Sequence, residues 1–225
     1  MSELSVALHD FAGADPAAAE ELLALMTRVQ LDRGSVLFTQ GDPGASMYVV
    51  VSGSLKVTRN DHQGRPTILA VLGPGDVFGE MSLLDDHDRD ATITAVGPTT
   101  LLELSRSRFE GELGERPHLT QALLRHLARR LRASNDTVSD LVFADVPARV
   151  ARLVLRLGER FGQPTDDGRL VIEHQLTQAE LAQLVGSARE TVNKALARFQ
   201  SRGWIDVQQR VITIHDRERL RAFAA

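Results

Sequence analysis

Residues 176–196, LTQAELAQLVGSARETVNKAL, contain the most specific structural pattern in the chain. Thr177 and Glu180 have the spacing of a capping box, in which each side chain accepts a hydrogen bond from the other residue's backbone at a helix N-terminus. Gly186 permits a tight turn after that helix, and apolar residues recur at helical spacing on both sides of it. The stretch therefore predicts a helix-turn-helix, and the alternative is an αα-hairpin in an unrelated helical domain.

The second predicted helix begins with side chains that can read DNA bases. An Arg side chain can donate two hydrogen bonds to guanine, and a Glu side chain can accept one from the cytosine amine. Residues 204–214, with a turn at Gln208 and Gln209, are typical of a β-hairpin wing. We therefore predict a winged helix-turn-helix that binds double-stranded DNA. Four side chains are predicted to be exposed on the second helix: Arg189, Glu190, Asn193 and Lys194.

The first half of the chain has a different sequence pattern. Asp15 and Pro16 predict the start of a helix that runs to Met26. Beyond it, short runs of β-forming residues are separated by Gly and Pro turns, which is typical of a compact β-barrel or jelly roll. The predicted strands cover residues 36–38, 47–51, 54–58, 67–72, 92–96 and 100–104.

A long helix is predicted from Pro117 to about Phe143. Its heptad seam consists of Leu124, Leu127, Leu131, Ser134, Val138 and Leu141. Such a seam favours pairing with the same helix of a second chain, and the alternative is a helix that packs on its own roll. The polar pair Ser134 and Asn135 interrupts the seam, so it either sets the register of the pair or contacts a ligand.

Composition and charge agree with two domains of different role. The 225 residues contain no cysteine, no apolar run near the ~20 residues of a membrane span and no secretory signal, so we expect a cytoplasmic protein without a membrane partner. Residues 146–225 carry 13 Lys and Arg against 9 Asp and Glu, whereas the remainder carries 13 against 21. This asymmetry indicates that only the second part meets a polyanion, unless the difference is chance. With Asp145 and Pro147 starting a new helix, the predicted domains are 1–115, 116–144 and 145–225.

The chain resembles the CRP/FNR (catabolite activator protein) family of transcription regulators, and in particular its actinobacterial-type cAMP receptor proteins. The likeness covers nearly the whole chain: GDPG at 41–44, MYVVVSG at 47–53, FGE at 78–80, DLVFADVP at 140–147 and GSARETVNKAL at 186–196. It implies an α+β fold with an N-terminal cyclic-nucleotide-binding β jelly roll, a long dimerisation helix and a C-terminal winged helix-turn-helix.

The resemblance also implies a homodimer on a palindromic operator with TGTGA-like half-sites, about one helical turn (~34 Å) apart. Arg189, Glu190 and Lys194 would read base edges, and Lys194 stands where the family usually has Arg, which relaxes discrimination there. Ala188 stands where the family has Ser, and the preceding Ser187 is a candidate helix cap. The candidates for phosphate contacts are Thr177, Gln178, Ser187 and Thr191.

In members that bind cAMP, a short helix after the FGE motif presents backbone N–H groups to the cyclic phosphate. The residues at those positions are Gly79, Glu80, Met81 and Ser82. By resemblance, Glu80 accepts from the ribose 2′-hydroxyl and Arg89 neutralises the phosphate. Ser134 and Asn135 match the family's adenine contacts on the dimer helix, so the effector would touch both subunits.

Asp90 departs from the family pattern, which has Ser or Thr after the pocket arginine. A carboxylate at that position repels a phosphate, at a cost of about 4 kcal/mol for a separation of about 4 Å. Thr92 is a candidate replacement for the hydroxyl. Asp90 itself is expected either to turn outward or to pair with Arg89.

Three functions remain open from the sequence: a cAMP-controlled regulator, a family regulator that ignores cAMP and is constitutive or takes another effector, and a nucleotide-binding module that serves an enzyme or a partner. We expect no enzyme activity and no metal, because the histidines lack metal-ligand spacing and no Walker lysine follows the glycine turns. The acidic loop at 85–88 is expected either to be simply solvated or to attract a cation. The loop at 163–168 lies where family activators touch RNA polymerase, which is the expected further partner.

Overall fold

The computed structural model describes residues 21–113 and 117–224. Residues 21–24 are helical, and the predicted helix start at Asp15 and Pro16 lies outside the described residues. The chain forms two compact units that divide between Ala133 and Ser134. This division falls inside a helix, and the predicted functional division at 115/116 and 144/145 stays a prediction.

The first unit is built on two four-stranded antiparallel sheets. Their strands are β1 (Thr27–Leu31), β2 (Val36–Phe38), β3 (Ser46–Ser52), β4 (Leu55–Asn60), β5 (Pro66–Leu72), β6 (Val77–Phe78), β7 (Thr92–Ala95) and β8 (Thr99–Ser105). The strand orders are β1-β8-β3-β6 and β2-β7-β4-β5, so neighbours along the chain often lie in different sheets. The predicted jelly roll is therefore confirmed, with β1 and β6 as strands that the sequence pattern did not reveal.

Strand β3 lies at the centre of the roll because both of its faces are buried. Tyr48 and Val50 pack into a cluster together with residues of both sheets, such as Leu55 and Leu101. Met47 and Val49 point to the opposite side and pack against residues of the flanking helices. Strand side chains alternate between the two faces, so this continuous apolar run joins two separate clusters.

Three helices accompany the roll: α1 (Met81–Leu84), α2 (Arg106–Leu113) and α3 (Pro117–Phe143), of which α3 continues into the second unit. The predicted bounds of α3 are confirmed. Its residues Ala122 and Leu123 are buried against the roll, and Leu127 packs on the same cluster. Leu127 is only partly buried there, so its assignment to the dimer seam stays a prediction.

Four other predicted seam side chains are apolar and at least half exposed: Leu124 (61%), Leu131 (64%), Val138 (58%) and Leu141 (50%). An apolar stripe at heptad spacing normally marks the side of a helix that packs against another helix. None of the helices that the structure describes has the length and hydropathy to cross a membrane.

The second unit combines four helices with a four-stranded sheet of order β11-β12-β10-β9. Its elements are α4 (Val146–Phe161), β9 (Gly162–Pro164), β10 (Leu170–Glu173), α5 (Gln178–Val185), α6 (Arg189–Ser201), β11 (Ile205–Gln208), β12 (Val211–Ile214) and α7 (Arg217–Ala224). Asp145 caps α4 by accepting a 2.8 Å hydrogen bond from the backbone of Ala148, which confirms the predicted helix start.

Two sequence predictions in this unit need correction. The stretch 163–168 is not all loop, because its start belongs to β9 and pairs with β10 as a hairpin. The wing turn lies one residue later than predicted, at Gln209 and Arg210, since Gln208 still pairs with Val211. Gln209 supplies the left-handed backbone of the turn, with φ of 54°.

The turn between β2 and β3 packs tightly on helix α1 of the roll. A Cβ atom at Gly44 would lie 2.0 Å from Cβ of Ser82, which is far too close for two non-bonded carbon atoms. Ser82 is itself 4% exposed, so it has little room to move. The absence of a side chain at Gly44 therefore fixes how closely α1 approaches this turn.

We expect Gly44→Ala to destabilise the roll by about 1–3 kcal/mol, since overpacking forces the backbone apart. Urea denaturation followed by far-UV circular dichroism measures the effect. Gly97→Ala is the matched control, because a Cβ atom there meets open space. Equal midpoints for the two variants would contradict the steric account.

Candidate functional site

Arg89 lies buried in the roll and is 5% exposed. Its guanidinium donates to the carbonyl oxygens of Gly79 (2.8 Å) and Ser46 (2.7 Å) and to the hydroxyl of Ser82 (3.2 Å). Its central carbon stands 4.1 Å from the ring centroid of Phe38, a cation–π distance. Burial lowers the pKa of Arg89, although nearby charges, among them the carboxylate of Glu80, oppose this change. The arginine is a fixed positive charge in a polar pocket.

Glu80 places a carboxylate in the same pocket with no exposed surface at all. One carboxylate oxygen accepts from the guanidinium of Arg130 on α3, while the other is buried and has no hydrogen-bond partner within the described part of the chain. Nε of Arg89 is likewise buried without a partner there. Buried polar groups in native proteins are nearly always hydrogen-bonded to protein or to ordered water, so this donor and this acceptor can bind a polar ligand or water.

The backbone next to Glu80 approaches the Arg89 guanidinium so closely that only a glycine fits there. Gly79 adopts φ of 78°, and a Cβ atom there would lie 2.8 Å from the guanidinium of Arg89. Ser82 is buried and Met81 is 46% exposed. The structure thus brings Gly79, Glu80, Ser82 and Arg89 together, as the sequence predicted, with Met81 at the edge.

Asp90 faces away from this pocket. Its carboxylate pairs with the guanidinium of Arg59 on β4 through contacts of 3.1 and 3.2 Å, and both side chains are about half exposed. Of the two predicted orientations, the outward one is therefore observed, and the partner of Asp90 is Arg59 instead of Arg89. The hydroxyl of Thr92 accepts a 2.9 Å hydrogen bond from the backbone of Gln40.

Ser134 and Asn135 are exposed on α3. They belong to the second compact unit, whereas the pocket residues belong to the first. Their contact with an effector stays a prediction.

The helix-turn-helix of the second unit is built as its sequence indicates. The Thr177 hydroxyl accepts from the Glu180 backbone (3.2 Å), and the Glu180 carboxylate accepts from the Thr177 backbone (2.8 Å), which confirms the capping box. Gly186 ends α5 with the left-handed angles φ 66° and ψ 45°. The turn residue Ser187 does not cap α6: the N-cap is Ala188, which has no side-chain acceptor, so the predicted cap is wrong.

The first turns of α6 present a mostly polar surface. Exposed side chains on it are Arg189, Glu190, Thr191 and Lys194. Asn193 is corrected to partly buried, and its side-chain oxygen is enclosed without a partner among the described residues, as is that of Gln178 on α5. Val192 on the opposite side of α6 is buried, so the packing of α6 on its own domain leaves Arg189, Glu190 and Lys194 outward.

The sequence reasoning missed three residues that shape these sites. Gly44, Arg59 and Arg130 act through contacts with residues distant in sequence, which no local pattern reveals. His174 precedes α5, is 3% exposed, and accepts a 3.1 Å hydrogen bond from the backbone of Leu176. Burial lowers its pKa to about 4, so it is neutral at physiological pH and serves the fold. Within the described ranges, no group of three or more His, Asp or Glu side chains is placed to hold a metal ion.

Comparison with known proteins assigns both units. Residues 28–116 match the cyclic nucleotide-binding domain, and residues 148–223 match the Crp-like helix-turn-helix domain. The chain is 41% identical over 220 residues, 98% of each sequence, to a CRP-like cAMP-activated global transcriptional regulator of Mycobacterium tuberculosis.

Two solved structures share the architecture. FixK2 from Bradyrhizobium japonicum superimposes with a TM-score of 0.79 at 23% identity, covering 89% of this chain and 98% of FixK2. The c-di-GMP responsive global regulator CLP from Xanthomonas campestris has a TM-score of 0.70 at 26% identity, covering 89% and 99%.

These relatives confirm the α+β fold with a nucleotide-binding roll, a long helix and a winged helix-turn-helix. They also show that the reading as a module of an enzyme is wrong, because the roll is followed by a DNA-binding domain of the Crp type. Since both domains match in this order along one chain, the protein belongs to the CRP/FNR family of transcription regulators.

Proposed function

We propose that the protein is a homodimeric regulator that binds a palindromic operator and is controlled by cAMP in the roll. The observation that carries the effector assignment is the fully buried carboxylate of Glu80, one oxygen of which has no donor among the residues that the structure describes. A ribose 2′-hydroxyl would supply that donor, and Arg89 would face the singly charged cyclic phosphate. The M. tuberculosis relative is named as cAMP-activated, which supports the same effector.

The position of Asp90 removes the main objection to this assignment. A carboxylate directed at the phosphate would cancel most of the attraction by Arg89. In this protein the carboxylate is directed at Arg59 instead, on the solvent side. Gly79, Glu80, Ser82 and Arg89 would then form the phosphate and ribose contacts without repulsion from Asp90.

A second candidate is a different effector in the same pocket. The observation that favours it is that Arg89 already donates to three acceptors of the protein, so a phosphate must displace at least one of them or use Nε. The X. campestris neighbour is named as responsive to c-di-GMP, so a regulator of this architecture can respond to a nucleotide other than cAMP.

Calorimetric titration of cAMP into the full chain separates the two candidates. We expect wild type to bind about two molecules per dimer, and Arg89→Gln to lose at least about tenfold in affinity, because a charged hydrogen bond is worth 1.5–3 kcal/mol. Arg89→Lys keeps the charge and tests whether the loss is electrostatic. Binding by Asp90→Ser alone would mean that the inherited pocket is disabled and that another effector should be sought.

Effector binding would reach the long helix through Glu80. This carboxylate pairs with Arg130 on α3, so a ligand that adds a hydrogen bond to Glu80 acts on a group already tied to that helix. A change in α3 alters the surface on which two subunits pair. Differential binding of the effector to two arrangements of this helix is what allosteric control requires.

For DNA, we infer that Arg189, Glu190 and Lys194 read the bases of a TGTGA-like half-site. All three are exposed at the start of α6, and the packing of Val192 keeps them outward. Thr177, Ser187 and Thr191 are our candidates for phosphate contacts, and the start of α6 lies beside them, where a helix N-terminus favours anions. Gln178 and Asn193 take part only after a side-chain rearrangement, since their oxygens are enclosed.

We expect Arg189→Ala to reduce the preference for a palindromic TGTGA-containing duplex over a scrambled one by about 1–3 kcal/mol, the usual value of one bidentate base contact. Fluorescence anisotropy at fixed salt measures both affinities. Arg219→Ala removes an exposed, ion-paired arginine of α7 and serves as the control. Unchanged discrimination by Arg189→Ala would exclude its role in base reading.

The exposed seam residues of α3 support the homodimer. Leu124, Leu131, Val138 and Leu141 form one apolar side of this helix and are at least half exposed. Burial of such side chains in a partner helix stabilises a pair by about 1.5–3 kcal/mol for each fully buried side chain. Two copies of the same helix present the same stripe, which a two-fold axis brings together.

Leu131→Glu should convert the dimer to monomers, because it places a charge in the middle of the apolar stripe. Sedimentation velocity measures the change in mass. Leu69→Glu on β5 is the matched control, since Leu69 is 52% exposed but is not part of the stripe. A dimer that persists in Leu131→Glu would refute the interface.

We further infer that the turn of the β9–β10 hairpin contacts RNA polymerase, at the place where the family's activators do, and that the protein works in the cytoplasm, where its DNA lies. This turn is held by Asp167, whose carboxylate pairs with Arg169 and accepts from the hydroxyl of Thr165. A rigid, exposed turn is suited to a transient protein contact.

A further inference from the structure

The residue that follows the pocket arginine is tied to a neighbouring strand by charge. Arg59 and Asp90 form two contacts, Nη1 to Oδ2 at 3.2 Å and Nη2 to Oδ1 at 3.1 Å, in the side-by-side geometry of a bidentate pair. Strands β4 and β7 pair in antiparallel register at Thr58 and Thr92, which places the two charged residues just beyond the end of that ladder.

The backbone around Asp90 is held independently of this ion pair. Gly41 donates to the carbonyl oxygen of Arg89, and the Arg89 backbone donates to that of Asp42, each at 2.8 Å. Gln40 joins the same loop to Thr92 through its backbone N–H, and its side-chain oxygen accepts from the backbone of Asn60 at 2.8 Å. With the backbone fixed, Arg89 points into the roll and Asp90 points out of it.

We propose that Arg59 is a specificity-determining residue of the effector pocket: by neutralising the Asp90 carboxylate, it allows an anionic phosphate to bind beside Arg89. This inference rests on the proposed function, since it concerns the same pocket and an effector with a phosphate group. It assigns to β4 a role that no sequence motif marks, because Arg59 lies 31 residues before its partner.

The charges near the phosphate position explain why Arg59 matters. Arg89 contributes one positive charge, and the carboxylates of Asp42 and Glu103 also act on it. The pair of Glu80 and Arg130 is neutral, and so is the pair of Arg59 and Asp90. Loss of Arg59 leaves a carboxylate uncompensated on the residue next to Arg89. That charge opposes a phosphate through solvent, so the effect is moderate in size and decreases as salt is added.

A double-mutant cycle on the full chain tests the proposal, with cAMP as the titrated ligand. We expect Arg59→Gln to weaken binding about five- to tenfold at low salt, and Arg59→Gln/Asp90→Asn to return to within about twofold of wild type. Asp90→Asn keeps the shape of the side chain without its charge. Arg65→Gln removes an exposed arginine that pairs with Asp61 in the turn between β4 and β5 and is the matched control.

The outcomes distinguish failure of the role of Arg59 from failure of the effector assignment. Recovery in the double variant, together with a smaller loss at high salt, supports it. If wild type binds cAMP and Arg59→Gln binds equally well, Arg59 has no such role although the effector assignment stands. A loss in Arg59→Gln that the double variant fails to restore would overturn the charge argument in the same way. Absence of cAMP binding by wild type and all variants would overturn both proposals.

Discussion

A guanidinium group that is buried between two sheets keeps its charge, so the surrounding chain must supply acceptors for it. In this protein the group belongs to Arg89, and the acceptors come from three separate places: the start of β3, the glycine after β6 and the serine of α1. Each place is itself constrained, since Gly79 needs a left-handed backbone and Ser82 needs the missing side chain of Gly44. The pocket therefore depends on how the roll accommodates one charge.

The same pocket is connected to the long helix by a second charge pair. Glu80 has no solvent contact and must be paired, and its partner Arg130 lies on α3. This helix packs Ala122 and Leu123 on the roll, and its other side carries the exposed apolar stripe. In the proposed dimer this one helix would form both a wall of the pocket and the interface, so a change in hydrogen bonding at Glu80 would act on both.

Local sequence patterns predicted the elements whose cause is local. The capping box at Thr177, the left-handed Gly186 and the N-cap Asp145 depend on residues within one helical turn, and all were predictable. Contacts between segments distant in sequence were not predictable, since Arg59 and Arg130 lie 31 and 50 residues from the carboxylates that they neutralise. Strand β6 has two residues, too few for an alternation to be recognised. The outward direction of Asp90 follows from backbone hydrogen bonds to a loop about 50 residues earlier in the chain, so the sequence alone left two orientations open.

The distribution of aromatic side chains gives each unit its own optical signal. The chain has one Trp and one Tyr. Trp204 stacks on Phe199 at 5.7 Å in the winged-helix unit, with the guanidinium of Arg202 4.8 Å from its ring. Tyr48 lies in the roll, where it stacks on Phe78 at 5.4 Å and its hydroxyl donates a hydrogen bond to Glu103. Intrinsic fluorescence can therefore distinguish events in the sensor from events in the DNA-binding unit of the unlabelled protein, without any added chromophore.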